Sequence, residues 1–423
     1  MLIKLTNDCQ FNTSTSTLHF NNSEIIDEDL IRDFHITNKR NFINNTSKEI
    51  NTINLIPTMQ CDGCCEYCYN LEELNKNKHY MNFEDFEQGI DNIKKLNYSF
   101  DLDTLKLYGG EPLLNPNLAD LIINIHKNYQ FSTLYVSSGL LFSPQKFEYA
   151  ISQLKKIVDY GIDFSIGVSV DFGLSPENFT RISNKTLINK NILLERCSII
   201  EDIGIRVVYS TIVSNKTDID LLKKDLLSLH ESKKEHFDIS DMDSKSDRKY
   251  AFRISVSNDD SLHPSMEMIQ ELYKFYKDAH ENIALTSNLY PYTDVVYSPL
   301  IKKLDEDTFL FLYPSNYCGI FDDMITMLPN GDLTSCHMTP YTSNFEISEE
   351  QINYYFNNEK CDQCDFFNVC RGLCVNRNLQ APKAMDVYCE WAKLSFELAL
   401  KRLYIINGNN IKKFQSYITS LSV

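Results

Sequence analysis

Ten of the thirteen cysteines in this chain fall into two spaced groups. The first lies in Cys61-Asp62-Gly63-Cys64-Cys65-Glu66-Tyr67-Cys68, which contains C-x3-C-x2-C when Cys61, Cys65 and Cys68 are the ligands and Cys64 is a bystander. A four-iron cluster takes four thiolates. A loop that offers three leaves one iron open to a small molecule, and an open iron makes the centre a place for chemistry. A second motif, Tyr108-Gly109-Gly110-Glu111-Pro112-Leu113, pairs two glycines that let backbone approach a ligand with a carboxylate suited to an ammonium group. The second cysteine group is Cys318, Cys336, Cys361, Cys364, Cys370, Cys374 and Cys389. Zinc is the competing reading for both groups. It fits the C-x2-C pair at Cys361 and Cys364 better than it fits the first loop, because structural zinc takes four ligands in paired sets.

These residues need a scaffold, and the pattern around them supplies one. Apolar β-type runs occur at 53–56, 104–108, 133–137, 164–170, 205–213 and 252–256, with helical patterns between them. Phe83, Phe86, Ile90, Ile93 and Leu96 recur at helical spacing behind Asn82 as N-cap, and Ser143-Pro144 opens a second helix. Strands alternating with helical crossovers imply an α/β fold with a parallel sheet, curled as a barrel or partial barrel. Chemistry in such folds gathers at the carboxyl ends of the strands, and both motifs directly follow predicted strands. The expected organisation is a prefix over 1–50, with a strand in 15–20; an α/β domain over 51–262; a helix and loop bridge over 263–315; a cysteine-rich module over 316–395; and a helical segment over 396–423. Lys233–Lys249 reads as a solvated loop.

Composition narrows the function classes. The first residues lack the apolar core of a signal peptide, and no stretch approaches the length of a membrane span. The cysteines therefore point to a reducing, cytoplasmic setting in which metal ligation outweighs disulfides. A formal charge of −17 disfavours nucleic-acid binding and is compatible with a basic peptide partner.

The cysteine loop and the Gly-Gly-Glu segment together resemble the radical S-adenosylmethionine (SAM) superfamily over roughly residues 50–260. The resemblance implies a partial (β/α)6 barrel. Cys61, Cys65 and Cys68 would hold a 4Fe–4S cluster, with Tyr67, Gly109, Gly110 and Glu111 at SAM. Ser138 sits where many relatives carry an Asn near the ribose. Ser169 and Asp171 match the Ser-x-Asp segment of the family, and Arg181 stands at the place of a carboxylate-binding Arg. By the same resemblance, the reduced cluster would cleave SAM to a 5′-deoxyadenosyl radical that would abstract a substrate hydrogen.

The second cysteine group resembles the seven-cysteine SPASM module that follows radical SAM domains in peptide-modifying enzymes. By position, Cys318, Cys336 and Cys374 would hold one auxiliary 4Fe–4S cluster, and Cys361, Cys364, Cys370 and Cys389 the other, which makes three clusters in all. Seven thiolates fall one short of eight. The gap leaves an open iron, a non-cysteine ligand, or a thiol from Cys9, Cys64 or Cys197, although Cys197 reads as core. His337 stands where sulfatase-maturing relatives carry an Asp that accepts a proton, so it is the one candidate for a catalytic side chain. The resemblance implies a maturase that cross-links a ribosomally made peptide through a thioether or carbon–carbon bond. It would need a precursor peptide and an electron donor such as flavodoxin or ferredoxin; because only about 50 residues precede the first cysteine loop, leader recognition would be reduced, delegated to a separate leader-recognition protein, or provided by another surface. The alternatives are a sulfatase-type formylglycine maturase, which His337 disfavours, and a non-catalytic iron–sulfur or zinc-stabilised binding or electron-transfer protein.

Overall fold

Polar and apolar residues alternate along the central strands, and this alternation gives the sheet one dry face and one polar face. The computed structural model describes residues 2–21, 49–63, 65–66, 68–76, 78–175, 189–233, 250–257, 259–279, 287–289, 300–304, 306–312, 323–338, 359–370, 374, 379 and 381–421. The chain opens with three antiparallel strands, β1 (Leu2–Thr6), β2 (Cys9–Asn12) and β3 (Thr17–Phe20). It then alternates β4 (Glu49–Leu55), α1 (Phe83–Lys95), β5 (Ser99–Leu107), α2 (Leu118–Tyr129), β6 (Thr133–Ser138), α3 (Pro144–Asp159), β7 (Ser165–Ser169), α4 (Lys190–Asp202), β8 (Arg206–Val213), α5 (Ile219–Lys233) and β9 (Tyr250–Val256). Next come α6 (Met266–Asp278), β10 (Ser287–Leu289), β11 (Leu300–Lys303), β12 (Thr308–Leu312), β13 (Met324–Met327) and β14 (Leu333–Thr334). Among the described residues that follow are the helices α7 (Glu359–Asp362), α8 (Phe367–Cys370), α9 (Met385–Ile406) and α10 (Ile411–Leu421).

The contacts group the chain into two units, and neither is contiguous. One contains 47–253 and 319–348; the other contains 1–46, 254–318 and 349–423. In the first, strands run in the order β8-β7-β6-β5-β4-β13-β14, with β9 beside β8. Pairing is parallel from β13 through β4 to β8, so the unit is α/β with a central parallel sheet, and no closed barrel forms among the described residues. Met327, Leu55, Leu107, Val136, Ile166 and Val207 lie side by side in register, and each is 0% exposed. One residue earlier, the row reads Thr326, Asn54, Lys106, Tyr135, Ser165 and Arg206. Parallel strands are ordinarily apolar on both faces, so this second row must look into a polar interior.

Helix ends follow their local chemistry. Asn82 accepts from the Asp85 N–H and the Asp85 carboxylate accepts from the Asn82 N–H, both at 2.9 Å, a capping box that starts α1. Ser143 caps α3 ahead of Pro144. On α1, Gly89 packs directly against the Met327 side chain, which holds the helix to the dry face.

The other unit contains a five-stranded sheet in the order β1-β2-β3-β12-β11. Phe11 and Phe20 meet Phe311 and Phe309 edge-on at 5.4 and 5.8 Å, and also contact Phe396 of α9 and Phe414 of α10. The N-terminal strands are thus built into a sheet with the hairpin over 300–312, which the sequence reading treats as bridge. Residues 234–249, the expected solvated loop, lie outside the described residues. One stability consequence follows from the dry face. Leu105→Ala, at a 0% exposed position of β5, should cost about 2–5 kcal/mol. Denaturant unfolding against wild type measures it, and a cost below 1 kcal/mol would contradict the packing.

Candidate active site

β4 ends at Leu55, and residues 56–60 carry the chain over the top of the sheet to the first cysteine loop. Asn75 holds the start of that loop at two points: its Oδ1 accepts from the Cys61 N–H at 3.0 Å and its Nδ2 donates to the Cys61 carbonyl at 3.1 Å. The Cys68 N–H donates to the Cys65 carbonyl at 3.0 Å, and the Gly63 N–H to Cys61 Sγ at 3.3 Å. Two ion pairs pin the loop outward, Asp62 with Lys146 of α3 at 2.7 Å and Glu66 with Lys216 at 2.5 Å.

All three candidate thiols are half-buried. A Cβ built on Gly63 would lie 3.6 Å from Cys61 Sγ, 3.8 Å from Cys65 Sγ and 2.9 Å from Leu141, so a side chain there would wedge between the two sulfurs. Among the described residues, no three His, Cys, Asp or Glu side chains converge on one point as a single ion requires. Burial, then Glu111, then the Cys65 and Cys68 charges push the Cys61 thiol up, so iron would bind there with release of a proton.

Glu111 approaches this loop because the two glycines before it carry no side chains. Gly109 has φ +118°, and a Cβ on it would sit 2.7 Å from the Thr58 carbonyl oxygen; one on Gly110 would sit 2.5 Å from the Gln60 carbonyl oxygen. The close approach made by these glycines is to the 56–60 segment. The Gly110 and Glu111 N–H groups then donate to the Thr58 and Gln60 carbonyls at 3.1 and 2.8 Å.

The Glu111 carboxylate is 3% exposed. It accepts from Ser138 Oγ at 2.9 and 3.0 Å, from the Gly139 N–H at 2.9 Å and from the Leu113 N–H at 3.2 Å. Burial pushes its carboxyl up to about 7, against the pull of these donors. Ser138, expected near the ribose of SAM, therefore orients Glu111. Leu140 follows with φ +52°, an uncommon conformation for a side-chain residue, and its carbonyl accepts from buried Arg196 of α4, which stacks on Phe142 and Phe147. Sequence reasoning missed Arg196, because a single cation inside an apolar helix gives no periodic signal. Ser169 ends β7, and Asp171, two residues on, is buried.

His337 lies over the polar face. Its ring stacks on Tyr108 at 4.2 Å and 13°, meets Tyr69 edge-on at 6.2 Å, and its Nδ1 lies 3.3 Å from Asn54 Nδ2. Burial, then Lys106, then Arg253 push the imidazole down to about 4, so it is neutral near pH 7. Cys336 is buried in the same unit. In the other unit, burial and then Cys361 and Cys364 push the Cys389 thiol up to about 12, which places these three together. Cys370 is buried at the end of α8, and Cys374 is half-buried. Cys9 and Cys197 are buried in β2 and α4. Tyr67, Cys64, Arg181 and Cys318 lie outside the described residues.

Residues 55–238 match the family model of the Radical SAM superfamily. The chain is 22% identical over 360 residues to the radical SAM cyclopropyl synthase TigE of Paramaledivibacter caminithermalis, covering 78% of this chain and 69% of that protein. It is 28% identical over 220 residues to a probable GTP 3′,8-cyclase of Methanococcus aeolicus, covering 48% and 69%. Native anSMEcpe with bound AdoMet shares the fold, with a TM-score of 0.54 at 15% identity over 85% of this chain and 100% of that one. The same figures hold for native anSMEcpe with bound AdoMet and Cp18Cys peptide. Among the described residues no helix is long and apolar enough to cross a membrane.

Glu111 predicts a pH dependence in the cluster-free protein. Between 4.5 and about 7 the unfolded chain releases a proton that the folded chain retains, so stability falls as pH rises through this window, by about 3 kcal/mol in total. Glu111→Gln should flatten that slope in denaturant unfolding, and an unchanged slope would remove Glu111 as its source.

Proposed function

We propose that this radical SAM enzyme matures a ribosomally made peptide, abstracting a hydrogen and closing an intramolecular thioether or carbon–carbon cross-link. The observation that carries the reading is that buried Glu111 is tied to the start of the cysteine loop, its N–H donating to the Gln60 carbonyl at 2.8 Å, at the carboxyl end of the parallel sheet. A three-thiolate loop leaves an iron for a chelating cofactor, and Glu111 offers its ammonium group a carboxylate. When bound, the reduced cluster and SAM supply a carbon radical able to take an unactivated hydrogen.

The chain's own residues do the remaining work. Cys61, Cys65 and Cys68 hold iron, and Asn75 with the two ion pairs fixes the loop that carries them. Ser138 and the Gly139 N–H keep Glu111 oriented, and Arg196 fixes the turn at Leu140 that presents them. Tyr67, Ser169, Asp171 and Arg181 complete the proposed SAM surface. Excluding water around these groups protects a reactive intermediate and strengthens each polar contact.

Two auxiliary 4Fe–4S clusters in a SPASM-type module belong to the same reading, on Cys318, Cys336 and Cys374 and on Cys361, Cys364, Cys370 and Cys389. The grouping of Cys361, Cys364 and Cys389 supports the second set. The peptide substrate is supported by likeness in fold to a structure with a bound peptide. The carbon–carbon outcome is supported by similarity to a cyclopropyl synthase. A flavodoxin or ferredoxin supplies the electron.

Anaerobic reconstitution tests the reading. About twelve irons and twelve sulfides per chain are expected, with reductive cleavage of SAM to 5′-deoxyadenosine that Cys65→Ala abolishes. Zinc in place of iron, with no cleavage, would refute it.

A further inference from the structure

At one end of the polar row, two neighbouring buried side chains each leave a hydrogen-bonding atom unsatisfied among the described residues. Thr326 and Asn54 face each other in register on β13 and β4 and are 0% and 1% exposed. Thr326 Oγ1 and Asn54 Oδ1 make no hydrogen bond among the described residues. Turning the Asn54 amide over does not resolve this, because its oxygen would then face His337 and its nitrogen would be the orphan. A buried polar atom left unpaired costs about 1–3 kcal/mol, so a row holding two of them side by side points to a ligand that completes them.

Lys106 is the next residue along this row, in register with Asn54 on one side and Tyr135 on the other. It is half-buried, and among the described residues no carboxylate pairs with it and no hydrogen bond engages it. Two lysines beside the cysteine loop do pair with carboxylates, Lys146 with Asp62 and Lys216 with Glu66. The Lys106 and Arg253 charges both reach His337, which lies over Asn54 and stacks on Tyr108. A chain of net charge −17 therefore turns positive charge toward the polar face of its sheet. Lys106 lies three residues before Gly109, at the carboxyl end of β5 where the cysteine loop crosses.

We propose that Lys106, Asn54 and Thr326 form a substrate subsite for an acidic residue of the peptide, its side-chain carboxylate on Lys106 and its backbone amide on Asn54 and Thr326. An amide both donates and accepts, which matches an asparagine amide and a hydroxyl. His337 and Tyr108 wall the subsite with aromatic surface. The proposal rests on the reading of a peptide substrate, and it specifies the residue class placed beside the proposed cofactor.

The test uses the full-length reconstituted enzyme, anaerobic and saturated with SAM. N-acetyl-Gly-Glu-Gly-amide, its Gln counterpart and free glutarate are titrated by calorimetry into wild type, Lys106→Met and Lys106→Arg, with thermal melts confirming that each variant is folded. The Glu peptide should bind about tenfold tighter than the Gln peptide, the span of a charge-assisted hydrogen bond. Lys106→Met should erase that preference and Lys106→Arg should retain it. Equal binding of the two peptides, or a preference that survives Lys106→Met, overturns the proposal. Lys106→Met weakening SAM instead of the Glu peptide overturns it as well, because the cofactor's carboxylate would then be the occupant. Lys106-dependent binding of glutarate with neither peptide bound upholds the carboxylate subsite and overturns the peptide reading.

Discussion

The arrangement of this protein depends on a sheet that is dry on one face and polar on the other. The row from Met327 to Val207 excludes water completely and anchors the flanking helices through contacts such as Gly89 against Met327. Because side chains alternate along a strand, fixing that row fixes the next one. Asn54, Lys106 and Tyr135 are held on the opposite face by the burial of their neighbours, with no interaction of their own required. A slip of one residue in any strand would exchange the two rows.

The same register delivers the chemistry. Leu55 and Leu107 pair at the ends of β4 and β5, so the segments that follow leave the sheet side by side. One runs to Cys61 and the other is Gly109-Gly110-Glu111. They can touch because neither glycine has a Cβ: with one, the backbone of 58–60 would be struck at well under contact distance. Close packing then buries Glu111 beside Cys61, and burial sets the protonation of both groups upward. A carboxyl raised to about 7 and satisfied by Ser138 and Gly139 can accept a cationic partner without rebuilding the loop.

β13 adds a second route into the same region. It lies parallel to β4 although 270 residues separate Met324 from Asn54, and the turn through Gly331 to β14 brings Cys336 and His337 back over the sheet. One cysteine of the downstream group therefore shares a unit with the first loop, while Cys361, Cys364, Cys370, Cys374 and Cys389 belong to the other. That other unit is built from both ends of the chain, with Phe11 and Phe20 packed among Phe311, Phe309, Phe396 and Phe414.

Sequence alone determined the parallel α/β unit, because local apolar runs and helix caps such as Asn82 and Ser143 act over a few residues. It also determined the positions of both motifs at strand ends, since motif spacing is itself local. Three features were left to the tertiary structure. The partner of Glu111 is Ser138, the polar row joins residues from six strands, and the N-terminal strands pair with a hairpin nearly 300 residues away. Each of these is a contact between segments whose local patterns carry no reference to one another. The alternation of Asn54, Lys106 and Tyr135 with buried leucine and valine was present in the sequence all along. Only the register of the assembled sheet shows that these polar residues form one surface.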